Sequence, residues 1–231
     1  MKTPSVPGAA SHDETRRQLL EAAGEVFAES GFRDATVREI CRLAGANVAA
    51  INYHFGDKET LYAEVLNYAH GKALEKYPPL LDVAADAPPE KKLRAFVLSF
   101  LLRILDKGRT SWHGKLMSRE MIEPTGALDS LGEERILPMA RQLQQIVSEI
   151  LELPISDDQV RLCSFSIVSQ CVFYHHCRMM ISRLFPAHRL DAVVVEDLAD
   201  HIACFSLAAL KHLPDAKIRK SKPLLSANGK H

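Results

Sequence analysis

The chain lacks the long apolar segments that membrane insertion or export requires. No uninterrupted apolar run among its 231 residues approaches the roughly 20 positions that span a bilayer. The N-terminal segment MKTPSVPGAASHDE also lacks the apolar core of a signal peptide. We therefore expect a cytoplasmic protein with no membrane partner.

Cysteine is scarce and poorly spaced for cross-links. Because the chain has five cysteines, an odd number, and no Cys-x-x-Cys pair, a disulfide framework is not expected. Each cysteine lies in a predicted helix, which indicates reduced and mostly buried thiols in a cytosolic protein. The cysteines are Cys41, Cys163, Cys171, Cys177 and Cys204.

Aromatic residues and glycine-rich loops are also rare. Aromatic residues make up 6% of the chain, and β-branched runs are short, which predicts an all-α protein. No glycine-rich phosphate loop is present, which removes the main classes of nucleotide-dependent enzyme. The apolar fraction of 47% and the charged fraction of 25% are typical of a globular protein.

Net positive charge is missing as well. The formal net charge of the chain is +0, and residues 11–60 carry six Lys/Arg against nine Asp/Glu, which leaves −3. Domain charge alone therefore does not indicate a nucleic-acid partner. Any contact with DNA phosphates must depend on locally placed cations and helix N-termini.

The segment 36–62, TVREICRLAGANVAAINYHFGDKETLY, predicts two short helices joined by a tight turn. Thr36 and Glu39 form a capping box at the start of the first helix. Gly45 ends that helix, because the turn favours a positive φ that glycine adopts without steric cost. Asn47 is a suitable N-cap for the second helix.

The second helix has an inner and an outer side. Ile51 and Phe55 lie four positions apart and face the core, as the period of a helix requires. A short outward-facing helix braced by a capped one is typical of a helix-turn-helix DNA reader. The outer side is formed by Val48, Ala49, Asn52 and Tyr53.

These same residues resemble the signature of TetR-type transcriptional regulators. The resemblance lies in AGAN at 44–47 and in INYHFGDKETLY at 51–62. The chain departs from the common pattern at Asn52, where an aromatic residue is frequent, and at Val48, where a polar or basic residue is frequent. Both departures lie on the reading face, so they concern the operator sequence and not the fold.

The resemblance implies a non-enzymatic, all-α protein. It implies an N-terminal three-helix helix-turn-helix domain followed by a C-terminal helical ligand-binding and dimerisation domain. A second capping box, Ser11 and Glu14, predicts the start of the first helix. The predicted divisions are a flexible leader 1–10, a DNA-binding domain 11–56 with its helix-turn-helix at 36–55, a regulatory and dimerisation domain 57–213, and a disordered basic tail 214–231.

The C-terminal region predicts further helices punctuated by proline. One runs from Ala127 to Leu153, with Pro138 expected to kink or split it. Another ends at Gly108. The stretch 118–139, SREMIEPTGALDSLGEERILPM, resembles the CerR-type subgroup, whose members respond to small toxic compounds and regulate efflux.

The helices predicted at 157–184 and 190–213 are apolar on more than one side. Such helices need two neighbours, so we expect them to pair with their copies as a four-helix bundle in a homodimer. A monomeric helical body is the alternative.

Several side chains of the C-terminal region are candidates for a ligand pocket. Pockets are mostly apolar with a few placed polar groups. Packing in the hydrophobic core is the alternative for each residue. The apolar candidates are Phe96, Phe100, Trp112, Met117, Met121, Phe173 and Tyr174, and the polar candidates are Arg119, His113 and His176.

Cys171 and His175 lie at i and i+4 and resemble a pair of metal ligands. Their spacing matches no closed zinc site, so no metal and no cofactor is expected. A metal-responsive regulator that uses this pair is one alternative function. A small helical enzyme is a weaker one, because the sequence offers no third catalytic group or oxyanion donor.

The function predicted from the sequence is a ligand-responsive repressor that binds double-stranded operator DNA as a dimer. Release by a small molecule is expected, with efflux or detoxification genes as targets; activation on ligand binding is the alternative. Asn47 serves as a helix cap or as a base contact. The phosphate contacts are predicted at Thr36, Arg38, Tyr53, His54 and Lys58, and the base contacts at Asn47, Val48, Ala49 and Asn52.

Overall fold

The computed structural model describes residues 7–106, 112–186 and 192–213. Within these ranges the chain forms eleven α-helices and one π-helical segment, and it contains no strand. None of those helices is long and apolar enough to cross a membrane. The helices are α1 Pro7–Asp34, α2 Val37–Ala44, α3 Val48–Phe55, α4 Lys58–Lys76, α5 Pro89–Leu105, α6 Trp112–Ile122, α7 Ala127–Leu131, α8 Leu137–Leu151, α9 Asp158–His176, α10 Arg178–Leu184 and α11 Ala192–His212.

Helix α1 begins earlier than the sequence predicted. It starts at Pro7, so the capping box at Ser11 does not mark its beginning, and residues 7–10 are helical. Proline is favoured in the first turn of a helix, where its missing N–H needs no partner. Residues 1–6 of the predicted leader lie outside the described residues. Gly31 adopts φ 79° and kinks α1 before it ends at Asp34.

The predicted ends of α2 and α3 are confirmed. Thr36 caps α2, and Gly45 follows it in the left-handed conformation with φ 64°. Asn47 caps α3. Asp57 caps α4, and its carboxylate accepts a 2.7 Å hydrogen bond from the N–H of Thr60, which lowers the pKa of Asp57.

The helix predicted from Ala127 to Leu153 is split, as the proline suggested. A π-helical segment, Gly132–Ile136, separates α7 from α8, and Pro138 lies in the first turn of α8. Proline cannot donate to the carbonyl four residues earlier, and the wider π turn immediately before it accommodates that missing bond.

Two other predicted helices need correction. The helix expected over 157–184 is broken at Cys177 into α9 and α10. No proline or glycine marks this break in the sequence. Helix α5 ends at Leu105, short of the predicted end at Gly108, and residues 107–111 lie outside the described residues. The predicted tail, 214–231, also lies outside them.

The described residues pack into two hydrophobic cores. The first core joins helices α1 to α4, and it also takes in Trp112, Leu116 and Leu131 from α6 and α7. The second core joins α5, α8, α9 and α11. Helix α6 therefore belongs to the C-terminal region in sequence but fills the core of the N-terminal helices.

Candidate nucleic-acid interface and ligand site

Helix α3 presents one face to solvent and anchors the other. Ile51 is fully buried and Phe55 is 6% exposed, whereas Tyr53 is 74% exposed and Val48 is 43% exposed. Ala49 and Asn52 are also exposed. The inner and outer sides predicted from the sequence are therefore those of the structure.

The two N-caps fix the geometry of the helix pair. The hydroxyl of Thr36 accepts a 3.2 Å hydrogen bond from the N–H of Glu39. The side-chain oxygen of Asn47 accepts a 2.9 Å hydrogen bond from the N–H of Ala50. Asn47 thus acts as a cap, and its side-chain amide N–H groups are not used in this bond.

Two of the predicted phosphate contacts have partners within the protein. The ammonium of Lys58 donates to the carbonyl of Arg33 at 3.2 Å and lies 4.8 Å from the ring centre of Phe32. The ring of His54 lies 4.4 Å from that of His12. Burial lowers the pKa of His54, and the nearby His12 and Arg16 add to that effect.

The arginines of this region differ in their ion pairs with carboxylates. On α1, Arg16 forms a 3.0 Å ion pair with Glu64, and Arg17 pairs with Glu14 at 2.8 Å. Arg38 is exposed on α2. An exposed cation of this kind can act locally although the net charge over residues 11–60 is −3.

Helix α6 is bonded to the end of α1. The guanidinium of Arg119 donates to the carbonyls of Ala28 at 3.0 Å and Glu29 at 2.6 Å. Lys115 forms an ion pair with the carboxylate of Glu29. A cation at a helix C-terminus complements the helix dipole, so these contacts fix α1 to the C-terminal region just before the kink at Gly31.

Helix α6 is also bonded to α4. The hydroxyl of Tyr62 donates to Glu120 at 2.7 Å, and Glu120 is only 1% exposed. The other carboxylate oxygen of Glu120 accepts a 3.0 Å hydrogen bond from the N–H of Thr125. Burial raises the pKa of the Tyr62 hydroxyl, and its bond to Glu120 raises it further.

The residues predicted to line a ligand pocket are dispersed in the structure. Trp112 and Met117 pack in the N-terminal core, and Phe96 is buried in the C-terminal core. Met121 is 58% exposed and Phe173 is 49% exposed. The remaining candidates are Phe100 and Tyr174, packed against the C-terminal core, His176, which is exposed, and His113, which is buried.

A cavity of about 340 Å³ lies where α1, α4 and α6 meet. Of the predicted pocket residues, only Arg119 lines it. This volume is at the low end of the range for small-molecule sites, which is about 300–1,000 Å³. The lining residues are Gly31, Phe32, Arg33, Tyr62, Arg119, Ile122, Glu123, Pro124 and Thr125.

A buried polar cluster lies deeper in the C-terminal region. Arg103 is 3% exposed, and His70 and His113 are 3% and 5% exposed. The two imidazoles approach each other, with Nδ1 of His70 3.3 Å from Nε2 of His113. Sequence reasoning included His113 but missed His70 and Arg103. One signal was available, because Arg103 lies three and seven positions after Phe100 and Phe96 on the apolar face of α5.

The Cys171 and His175 pair does not gain a third ligand. Within the described residues, no group of three or more His, Cys, Asp or Glu side chains is placed to hold a metal ion. Burial raises the pKa of the Cys171 thiol to about 12, and Nε2 of His175 lies 2.9 Å from the hydroxyl of Ser118.

Two family models match the chain. Residues 89–210 match the C-terminal domain of the "HTH-type transcriptional dual regulator CecR", and residues 19–65 match "Bacterial regulatory proteins, tetR family". The first match covers more than half of the chain. It also contains the stretch 118–139, on which the resemblance to the CerR-type subgroup rests.

Two curated relatives agree with these models. The dual regulator CecR of Shigella flexneri is 27% identical over 170 residues, which is 70% of this chain and 76% of that protein. The transcriptional regulator SrpR of Pseudomonas putida is 27% identical over 157 residues, which is 65% of this chain and 68% of that protein.

Solved structures show the same fold. PfmR, a TetR-family regulator from Thermus thermophilus, aligns with a TM-score of 0.62 and 18% identity over 83% of this chain and 95% of that chain. AibR, solved with isovaleryl coenzyme A and operator DNA, aligns with a TM-score of 0.62 and 19% identity over 83% and 97% of the two chains. The chain therefore belongs to the TetR family of bacterial regulatory proteins, a family of DNA-binding transcriptional regulators and not of enzymes, and its C-terminal domain is of the CecR type.

Proposed function

We propose that this protein is a repressor that binds a partly palindromic operator as a homodimer and is released by a small molecule. The observation that carries the proposal is the α2–α3 pair, in which a capped helix braces a second helix with Tyr53 74% exposed. Each subunit places α3 in one of two successive major grooves. Its working compartment is the cytoplasm, where the DNA is found.

The proposed DNA contacts are of two kinds. Contacts to phosphates position the protein on the duplex, and contacts to base edges specify the sequence. Asn52 is suited to pair with adenine, and the apolar side chains of Val48 and Ala49 are suited to thymine methyl groups. Lys58 exchanges the carbonyl of Arg33 for a phosphate when DNA is present. The phosphate contacts are Thr36, Arg38, Tyr53, His54 and Lys58, and the base-edge contacts are Asn47, Val48, Ala49 and Asn52.

An exposed apolar stripe supports dimerisation through α9 and α11. On α9, Leu162 is 49% exposed, Phe165 is 59% exposed and Phe173 is 49% exposed. Their spacing of three and then eight residues places them on one side of the helix. On α11, Phe205 is 61% exposed. Large apolar side chains exposed on two long helices are typical of a protein interface.

Effector control is supported by the way α6 joins the two cores. A ligand bound in the C-terminal region alters the position of α1 and α4 through Arg119 and Glu120. It shifts the equilibrium only by its difference in affinity for the DNA-binding and released states. AibR, which shares this fold, was solved with both isovaleryl coenzyme A and operator DNA, so a chain of this architecture can hold an acyl ligand as well as DNA. Efflux or detoxification genes are the proposed targets.

The first test is binding to DNA upstream of the protein's own gene across a salt series. We expect tight binding that falls steeply with salt, because phosphate contacts release counterions. Tyr53→Ala should weaken binding with little change in the salt slope, because a neutral phenol hydroxyl releases no counterion. Met121→Ala, which changes an exposed side chain on α6 (58%), is the matched control and should bind as the wild type does.

Two results would count against the proposal. If neither the upstream DNA nor a genome-wide selection of bound fragments yields a specific site, the protein does not act as an operator-binding repressor. If both variants lose affinity equally, α3 is not the reading helix.

A further inference from the structure

Four polar side chains on α4, α5, α6 and α9 each have a buried atom without a hydrogen-bond partner in the described ranges. We call Arg103, His70, His113 and His175 the Arg103 cluster. Six buried side-chain polar atoms have no hydrogen-bond partner in the described part of the chain, and four of them belong to this cluster. They are Nη2 of Arg103, Nε2 of His70, Nδ1 of His113 and Nδ1 of His175. Buried polar groups are nearly always paired, so such a concentration requires an explanation.

Arg103 is a buried cation without an anion. Its Nη1 donates to the carbonyl of Tyr77 at 2.9 Å and to the hydroxyl of Ser99 at 2.6 Å. Among the described residues, no carboxylate forms an ion pair with it. Burial lowers the pKa of Arg103 to about 10, so the group keeps its charge at neutral pH. A buried charge that is not paired is among the most unfavourable features a core can contain.

The neighbours of Arg103 do not supply negative charge. Burial lowers the pKa of His70 to about 3 and that of His113 to about 4, so both imidazoles are neutral. Burial raises the pKa of Cys171 to about 12, so its thiol is protonated. The cluster therefore holds one positive charge and several neutral polar atoms, which is an environment complementary to one anion.

A purely structural role accounts for only part of this arrangement. By donating to the carbonyl of Tyr77, Arg103 caps the C-terminal end of α4, where a cation is favoured. That role uses Nη1 and leaves Nη2 unexplained. It also leaves Nε2 of His70 without a partner, whereas backbone groups of Arg103 and Ile104 lie near the rings of His113 and His175.

We propose that the Arg103 cluster binds the carboxylate of the small-molecule effector, whose apolar part lies along Phe100. The guanidinium of Arg103 matches a carboxylate in shape and charge, and of the paired neutral imidazoles of His70 and His113 one keeps a ring N–H that can donate to a carboxylate oxygen. The ring centre of Phe100 lies 5.6 Å from the guanidinium carbon, which places an apolar surface beside the cation. This inference rests on the proposed function, since it names the ligand class of that regulatory site.

The position of the cluster connects it to the DNA-binding helices. His70 lies on α4, and Tyr77 follows the last residue of α4. The same helix begins at Lys58, three residues after the end of α3. An anion that binds Nη2 of Arg103 acts on the same guanidinium whose Nη1 holds the carbonyl of Tyr77, and thereby changes the support of the C-terminal end of α4.

The test uses sodium benzoate as the probe, with benzamide as its neutral counterpart and sodium chloride at equal ionic strength. Benzoate at about ten times its Kd should raise the Tm of the full chain by about 4 °C, whereas benzamide should not. Trp112 is the only tryptophan and precedes His113, so its fluorescence should report the same binding. This comparison needs no variant.

Two variants locate the effect. Arg103→Met should lose the stabilisation by benzoate while staying folded, because methionine fills part of the space without a charge. Arg103→Lys keeps the charge and should retain part of the stabilisation. Arg141→Met, on the exposed surface of α8, is the matched control and should respond as the wild type does.

The outcomes separate this inference from the proposed function. Equal stabilisation of wild type and Arg103→Met, or no stabilisation by benzoate, would overturn the assignment. Stabilisation by inorganic phosphate alone would also overturn it, in favour of a phosphoryl ligand. Operator binding by the wild type, measured without any carboxylate, tests the proposed function on its own.

Discussion

The helix-turn-helix and the C-terminal region are built by different kinds of contact. In the helix-turn-helix, each cap contact joins residues three positions apart, as Thr36 and Asn47 show. In the C-terminal region, Arg103 contacts Tyr77 across 26 positions, and Arg119 contacts Ala28 across 91. The caps of the helix-turn-helix are thus defined by neighbouring residues, whereas the C-terminal region, where we propose the effector site, depends on long-range packing.

The largest effect is expected from substitutions in the exposed apolar stripe of α9 and α11. They test whether the helix-turn-helix of a single subunit binds DNA on its own. Phe165→Glu combined with Phe205→Glu should prevent dimerisation, since each carboxylate would be buried in the interface. Loss of the second subunit should reduce operator affinity about 100-fold or more, although α3 is unchanged. Sedimentation velocity and DNA titration measure the two effects.

Ile155→Glu is the control for that variant, because Ile155 is also exposed (41%) but lies in the loop before α9. It should leave both dimerisation and DNA binding intact. A double variant that still sediments as a dimer would show that the interface lies elsewhere.

The next effect concerns the contact between α1 and α6. A Cβ added at Gly24 would lie 2.5 Å from the ring of Trp112, so Gly24→Ala should lower the free energy of unfolding by about 2 kcal/mol. Gly71→Ala, where nothing lies within 4 Å, should instead raise it by about 0.5–1 kcal/mol. Thermal unfolding measures both. Equal changes in the two variants would mean that Trp112 does not pack on α1.

An effect of similar size is expected from each buried histidine when the pH falls. The folded pKa values of His70 and His113 lie below the unfolded value of about 6.5, so the unfolded state binds more protons between these limits. Stability should therefore be lost as the pH falls below about 6.5, by up to about 2 kcal/mol per histidine at pH 5.

His113→Gln should remove about half of this pH dependence, as measured by the free energy of unfolding from about pH 7.5 to pH 5. His212→Gln, which changes an exposed histidine on α11, should leave the dependence unchanged. If His113→Gln and wild type show the same slope, His113 is not buried in its neutral form.

The smallest effect separates the cap role of Asn47 from its role as a base contact. Asn47→Ala should lower the free energy of unfolding by about 1 kcal/mol, because the N–H of Ala50 loses its partner. Asn47→Ser should restore most of this stability. Asn52→Ala, on the exposed side of the same helix, should change stability by less than about 0.5 kcal/mol. Operator affinity that recovers with the Ser variant would assign Asn47 to capping alone.

Features set by neighbouring residues could be predicted from the sequence, whereas features set by long-range contacts could not. The caps at Thr36 and Asn47 and the turn at Gly45 define α2 and α3 from neighbouring residues alone. The division near Pro138 was also predictable, because proline acts on its own helix. The start of α1 at Pro7 was missed, because a favourable capping box at Ser11 lies inside a longer helix.

Long-range features were not accessible in this way. Nothing near Cys177 marks the break between α9 and α10, and nothing near Trp112 indicates that it packs on Gly24. The sequence could not place the predicted pocket residues relative to one another for the same reason, since helical spacing places a residue on a face but not opposite a partner. Arg103 was identifiable as a cation on an apolar face, but its lack of a carboxylate partner among the described residues is a property of the folded chain.

The placement of Trp112 has a consequence for how such regulators can diversify. Trp112, Leu116 and Leu131 complete the core of helices α1 to α4, so the predicted boundary between residues 56 and 57 cuts through one continuous core. A chimera that joins this helix-turn-helix to a foreign C-terminal region would expose that core unless α6 and α7 were exchanged with it. The helix-turn-helix and the helices that follow it are therefore not interchangeable modules, since they share this core.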